Sequence, residues 1–243
     1  MPVTRGRKSG DTSPRSIGHE LKLLRYLLNR AVDNEVIETA PKIKTPKGAH
    51  RRGAIKEDHY REMLGHMRQG PARYLTFLWE TGWRLNEPRK LKWKNVDIKN
   101  RVLRLDAEQV KEDYDRVTPI LHELLQLLLE LKEEQRRMAN LEGFVLIRKN
   151  GKPIKSIREA FLVAKEKVGI SNAIPHDLRR STIRRWESMG INRQAVMQAT
   201  GHRPVTVHEQ YAELDEEQLV EAFSVLMVPP EQRPIRARAV NYN

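Results

Sequence analysis

The chain contains no cysteine, which removes disulfide frameworks, Cys-based zinc sites, iron–sulfur clusters and thiol catalysis together and fits a reducing interior. Aromatic residues are few, at 6% of 243, and no long apolar run exists. The most apolar stretch, 121–131, is interrupted by His122, Glu123, Gln126 and Glu130, and falls short of the ~18 to 20 apolar residues of a membrane span. The first ten residues lack the apolar segment of a secretory signal, so no leader is expected. Acidic charge is scarce beside basic: 32 Asp and Glu face 45 Lys and Arg, giving a net charge of +13 and a pI near 10.0. With 39% hydrophobic residues and a mean hydropathy of −0.68, the composition is globular but very polar, and the length allows one large domain with an appendage. A field of this sign suits a polyanion, nucleic acid above all.

The charge is uneven. Residues 1–52 hold 12 Lys and Arg against 5 Asp and Glu, more than half of the whole excess. The first 16 residues, rich in Gly, Ser and Arg, are expected to be disordered without a partner. Over 17–36, Leu21, Leu24, Leu28 and Val32 recur at helical spacing and predict one amphipathic helix. The run 39–53, with Pro41, Pro46 and the basic Lys42, Lys44, Lys47, Arg51 and Arg52, reads as an extended cationic linker. These patterns predict a basic arm with one helix over 1–52, a main domain over 53–228 and a flexible C-terminal tail over 229–243.

Within the main domain, helical patterns cover 56–69, 72–82 and 86–94, the last with Pro88 in its first turn. Three β-rich segments at 96–98, 102–105 and 116–120 predict a small antiparallel sheet. Helices are expected over 121–137 and 156–168, the second stopped by Gly169, with a short strand at 144–147 between them. The remainder to 227 divides into short helices at Pro175, Gly190, Gly201 and Asp215. The expected fold class is α+β, mainly helical, with a three-stranded antiparallel sheet.

Four stretches carry candidate chemistry. Thr81-Gly82-Trp83-Arg84-Leu85-Asn86-Glu87 ends a helix with a glycine and leads into Leu91-Lys92-Trp93. Lys111 falls at a turn before Arg116-Val117-Thr118-Pro119. Pro175-His176-Asp177-Leu178-Arg179-Arg180 places an imidazole and a guanidinium three apart, on one helix face. Gly201-His202-Arg203 follows 26 positions after His176, and Tyr211 nine after His202. Residue by residue the plain readings are structural: Tyr211 as a core aromatic, Trp83 as packing, His208 as a solvated side chain.

Taken in this order, the stretches resemble the catalytic domain of the tyrosine recombinases, the phage integrase family. The likeness covers roughly 55–225, and 17–47 looks like the last helix and linker of the family's core-binding domain, most of which is missing from the chain. The resemblance implies that Arg84 and Arg179 clamp the scissile phosphate, that Lys111 is the general acid, and that Tyr211 is the nucleophile. His176 is then the proton acceptor, His202 a donor to a non-bridging oxygen, and Glu87 a support for the arginines. Lys47, Arg51, Arg52, Arg180 and Arg203 are expected to contact DNA phosphates. Two departures stand out: Thr200 precedes Gly201-His202 where the family usually has an apolar residue, and Pro88 follows Glu87.

The chemistry suits those residue types. A guanidinium is planar and always charged, and offers paired N–H donors to oxygens on which charge accumulates. A tyrosine has a pKa of about 10 and needs a proton acceptor and positive surroundings to attack at neutral pH. The product is a 3′-phosphotyrosine and a free 5′-hydroxyl, so rejoining needs no ATP, metal or other cofactor. No Gly-x-x-x-x-Gly-Lys-Ser/Thr loop is present. The expected partner is double-stranded DNA, bound by a homotetramer, with accessory DNA-bending proteins as further candidates and no membrane. The expected location is the cytoplasm, on the nucleoid of a bacterial, phage or archaeal host. Rival readings are a type IB topoisomerase, an inactive or truncated DNA-binding relative, and a metal-dependent nuclease using His176, Asp177 and His202. The helical segment 215–227 resembles the family's C-terminal segment that packs on a neighbouring protomer.

Overall fold

A computed structural model describes residues 14–45, 53–106, 115–138, 143–202 and 214–234. The chain divides into two compact units, Met1–Arg52 and Gly53–Asn243. The described part of the first is helix α1 (Pro14–Asp33), closed by a turn in which the Val36 N–H donates to the Ala31 carbonyl at 2.9 Å. Among the described residues no helix is long and apolar enough to cross a membrane.

The second unit is mainly helical with one small sheet, as its sequence patterns predict. Helices α2 (Glu57–Gly65) and α3 (Gln69–Thr81) are followed by a sheet of β1 (Val96–Asp97), β2 (Val102–Leu105) and β3 (Arg116–Pro119), all antiparallel in that order. Then come α4 (His122–Arg137), α5 (Arg158–Lys167), α6 (Pro175–Ser188), α7 (Arg193–Thr200) and α8 (Glu216–Ala222). Leu124, Leu127, Leu128 and Leu131 form the buried stripe of α4, packing into a core with Leu75 and Leu78 of α3 and Phe161 of α5. Each such leucine contributes about 1.5–3 kcal/mol of burial. A second core gathers Trp186 of α6 and Val196 and Ala199 of α7 around Leu219, Phe223 and Leu226.

Four expectations need correction. The helix predicted over 86–94 is two short 3₁₀ turns, Pro88–Lys90 and Trp93–Asn95, separated by extended Leu91. The backbone there is engaged elsewhere: the Trp93 N–H donates to the Gly143 carbonyl, and Val145 N–H to the Leu91 carbonyl. The strand predicted at 144–147 is reduced to isolated bridges, Lys92 with Phe144 and Ile147 with Pro153. The apolar side of 215–227 is buried within this same unit, Phe223 meeting Trp186 edge-on at 4.8 Å, so it is no free face for a neighbouring protomer. The tail expected from 229 is structured to its last described residues: Pro230–Gln232 forms a 3₁₀ turn, and buried Arg233 pairs with Glu123 at 2.9 Å.

Candidate active site

Three chain segments meet at the end of α7. Gly82 terminates α3 in the left-handed conformation (φ 62°), which glycine adopts without a steric penalty. A Cβ there would lie 2.9 Å from the Thr200 methyl, so the two helix ends touch only because Gly82 has none. Gly201 caps α7 in the same conformation (φ 72°), and its Cβ position is filled by the Arg116 guanidinium. On β3, Arg116 and Thr118 alternate onto one face by the two-residue period of a strand, and that face meets α7. Thr118 accepts from Trp83 Nε1 at 2.9 Å and donates to the Ala199 carbonyl at 2.8 Å. Trp83 is therefore a packing residue, buried beneath the Arg116 guanidinium at 5.0 Å.

The arginines converge on this turn. Arg179 Nη1 donates to the Gly82 carbonyl at 2.9 Å and also to the Thr200 carbonyl, and its Nη2 lies against the His202 ring. Arg116 Nη1 reaches the Thr200 carbonyl at 3.2 Å, and Arg84 Nη2 the Gly201 carbonyl at 3.4 Å. Glu87 ties two of the three together. Its carboxylate accepts from the Arg84 backbone N–H at 2.8 Å, from Arg84 Nη1 at 3.3 Å and from Arg116 Nη2 at 2.8 Å. The sequence offers Arg116 only as the first residue of the stretch Arg116-Val117-Thr118-Pro119, with no role of its own; its inward direction is seen in its burial on β3.

On α6, Pro175 occupies the first turn and the Asp177 carboxylate accepts from the Ile174 N–H at 3.0 Å, which fixes the start of the helix. Lys165 of α5 holds the preceding loop by donating to the Ala173 carbonyl at 3.1 Å. Exposed His176 follows, and with Arg84 and Arg179 it lines a cleft of about 840 Å³ whose rim also carries Arg89, Lys90 and Arg158. Burial and then the charges of Arg179, Arg84, His176 and Arg116 lower the pKa of His202 to about 4. The ring is neutral at physiological pH.

Arg84, Glu87, Arg179 and His202 are thus brought into one contacting group, with His176 at its cleft. Arg180 pairs with Asp177 at 2.9 Å and is partly exposed. Asp177 is buried, turned to the Ile174 N–H and Arg180, and among the described residues no three His, Asp or Glu side chains converge as a metal site would need. Lys111, Tyr211, Arg203, Lys47, Arg51, Arg52 and His208 lie outside the described residues.

A helical domain with a three-stranded sheet, three arginines and a histidine gathered at one helix end defines the class, and comparison with known proteins gives the family. The family model described as "Phage integrase family" matches residues 54–218. The chain belongs to the phage integrase family, the tyrosine recombinases. No curated protein sequence matches it. Among solved structures it is similar to XerA recombinase, at 20% identity and TM-score 0.54, covering 90% of this chain and 84% of that one. The Tn1549 transposon integrase in complex with circular intermediate DNA gives 18% identity, TM-score 0.62, and 86% and 81% coverage. The lambda integrase dimer bound to a core site gives 18%, 0.60, and 84% and 82%.

Proposed function

We propose that the protein is a site-specific DNA recombinase or integrase that cleaves and rejoins double-stranded DNA through a 3′-phosphotyrosine on Tyr211, without metal or ATP. The observation that carries the reading is the joint placement of Arg84 and Arg179, from distant segments, on the Gly201 and Thr200 carbonyls beside His202. Two guanidiniums fixed before DNA arrives can meet the non-bridging oxygens of one phosphate, where charge grows in the five-coordinate state. In the attack, the Tyr211 oxygen forms the new P–O bond as its proton leaves to a histidine of the site. The bond to the 5′-oxygen breaks, and that oxygen takes a proton from Lys111. Rejoining reverses the sequence with a new 5′-hydroxyl. His176 and His202 between them serve the nucleophile's proton and the phosphate.

The basic arm contributes Lys47, Arg51 and Arg52, and the main domain Arg180 and Arg203, as contacts to DNA phosphates. Assembly as a homotetramer on DNA is supported by relatives described as a dimer on a core site and a tetramer on a Holliday junction. Accessory DNA-bending proteins and a place on the nucleoid complete the proposal. The test is covalent trapping: duplexes nicked near candidate sites, EDTA present, a denaturing quench, and mass spectrometry of the adduct. An adduct on Tyr211 that Tyr211→Phe lacks supports the mechanism. Salt-sensitive binding with no adduct would overturn it in favour of a DNA-binding relative.

A further inference from the structure

The helix that carries His176 and Arg179 is entered through the connection 168–174, and one buried side chain takes hold of that connection. Lys165, in the last turn of α5, is 8% exposed, and its Nζ donates to the carbonyls of Ser171 and Ala173, the second at 3.1 Å. An ammonium has three hydrogens and no lone pair, so the direction of both bonds is fixed. Phe161 and Ala164 anchor α5 itself in the first core. A rigid helix thus grips the backbone just ahead of α6 through a single side chain. Glu166 adds an outer tie, its carboxylate accepting from Ser171 Oγ at 2.6 Å.

His176 and Arg179 depend on this grip unequally. Arg179 lies in the second turn of α6 and is fastened from outside the helix, to the Gly82 carbonyl at 2.9 Å and to the Thr200 carbonyl. His176 is exposed in the first turn, directly after Pro175, so its place follows from where and how the helix starts. That start is set by the Ile174 N–H bond to Asp177 at 3.0 Å and by the path of the chain into Ile174, which Lys165 governs. Each helical residue turns the chain by about 100° and advances it by about 1.5 Å, so an altered entry displaces the first turn before the second. Lys165, Ala173, Ile174, Pro175 and His176 all line the cleft that Arg84 and Arg179 share. A charge taken out of water is a costly brace for a loop. Among the described residues Lys165 is the one buried lysine, and it stands at this cleft.

We propose that Lys165 is a positioning residue for the reaction: by holding the Ser171 and Ala173 carbonyls it sets the entry into α6 and so places the His176 imidazole beside the phosphate site of Arg84 and Arg179. Its ammonium is engaged with backbone, and it acts on the chemistry through His176. The part that concerns the reaction rests on the recombinase reading above; the hold on the connection does not.

The first measurement needs no variant. Brief acetylation of the native full chain with acetic anhydride, read by peptide mass spectrometry, should modify Lys165 more than about tenfold more slowly than exposed Lys167, because reaction at a buried amine waits on local opening. Equal rates would overturn the proposal. In histidine-labelled protein, Lys165→Met should shift the His176 ring resonances of a ¹H–¹⁵N spectrum and leave those of His19 in α1 in place, with His176→Gln for assignment. Lys165→Gln, which keeps an N–H donor group, should give a smaller shift and carries the measurement if the methionine variant does not fold. An unmoved His176 would overturn the proposal. In the adduct assay at saturating duplex, Lys165→Met should lower the rate by about 10²-fold, the scale of a reacting group displaced by an ångström, with the half-saturating duplex concentration unchanged. In the His176→Gln background the same substitution should cost nothing further, whereas additive losses would show a general structural role and overturn the route through His176. Absence of any Tyr211 adduct in the wild type, with the His176 shift present, would instead count against the recombinase reading alone.

Discussion

Glu87 and Arg116 form a buried ion pair at 2.8 Å, their side chains 8% and 1% exposed, and the carboxylate that receives Arg116 also receives Arg84. Both terminal nitrogens of Arg116 are engaged inside the protein, one with Glu87 and one with the Thr200 carbonyl. Arg116 thereby holds the carboxylate that orients Arg84.

Arg116→Met should therefore separate support from contact. Removing one member of a buried pair typically costs about 3–5 kcal/mol, and the remaining bonds from Arg84 to Glu87 should keep the loss near the lower end. Urea denaturation should show that loss. DNA affinity at a given salt concentration should change little, while adduct formation should fall with the misplacement of Arg84. A drop in affinity equal to the drop in rate would contradict this role.

Gly201→Ala tests the turn itself. An alanine at φ 72° is strained, and its methyl would enter the space of the Arg116 guanidinium. The strain alone is of order 1–3 kcal/mol. Circular dichroism melts should show a lowered midpoint, and adduct formation should be lost more completely than stability, because Arg84, Arg116 and Arg179 all anchor on residues 200–201.

His202 predicts a pH dependence of stability. Its pKa of about 4 in the fold lies below the reference value of 6.5, so between these values the unfolded chain binds more protons than the folded one. Stability should hold above pH 6.5 and decline as pH falls from there towards 4. Denaturant midpoints measured across that window should show the decline in the wild type and a smaller one in His202→Gln. Equal slopes would contradict the lowered pKa.

Arg179→Lys should remove more than charge is worth. The guanidinium bonds the Gly82 and Thr200 carbonyls with one nitrogen and lies against His202 with the other, which an ammonium cannot reproduce. Adduct formation should fall by about 10²–10³-fold, and EDTA should leave both wild-type and variant rates unchanged. Chelator-sensitive cleavage would point to a metal nuclease.

Much of this arrangement was legible in the sequence because its parts are local. Helix ends at Gly82 and Gly201, the alternation in β3 and the leucine stripe of α4 each follow from a short-range rule, and the order of motifs supplied Arg84, Arg179 and His202. What was illegible depends on distant backbone. The segment 86–94 has helical periodicity, yet Leu91 and Trp93 bond to residues some fifty positions on, and that pairing outweighs propensity. Arg116 has the composition of any basic strand residue, and only the packing of β3 on α7 turns it inward. Likewise 215–227 has an apolar side that a sequence cannot distinguish from a docking face until Trp186 is seen to fill it.

The α7 cap is a place where the site can be silenced from behind. The carbonyls of Thr200 and Gly201 that gather three arginines belong to a helix of eight residues, held in place largely by Ala195, Val196 and Ala199 in the second core. A larger side chain at Ala195 or Ala199 would shift that short helix off Trp186 and scatter the cations together. Loss of reaction chemistry can then arise from a methyl group in an apolar interior, in a protein whose reacting residues are all intact.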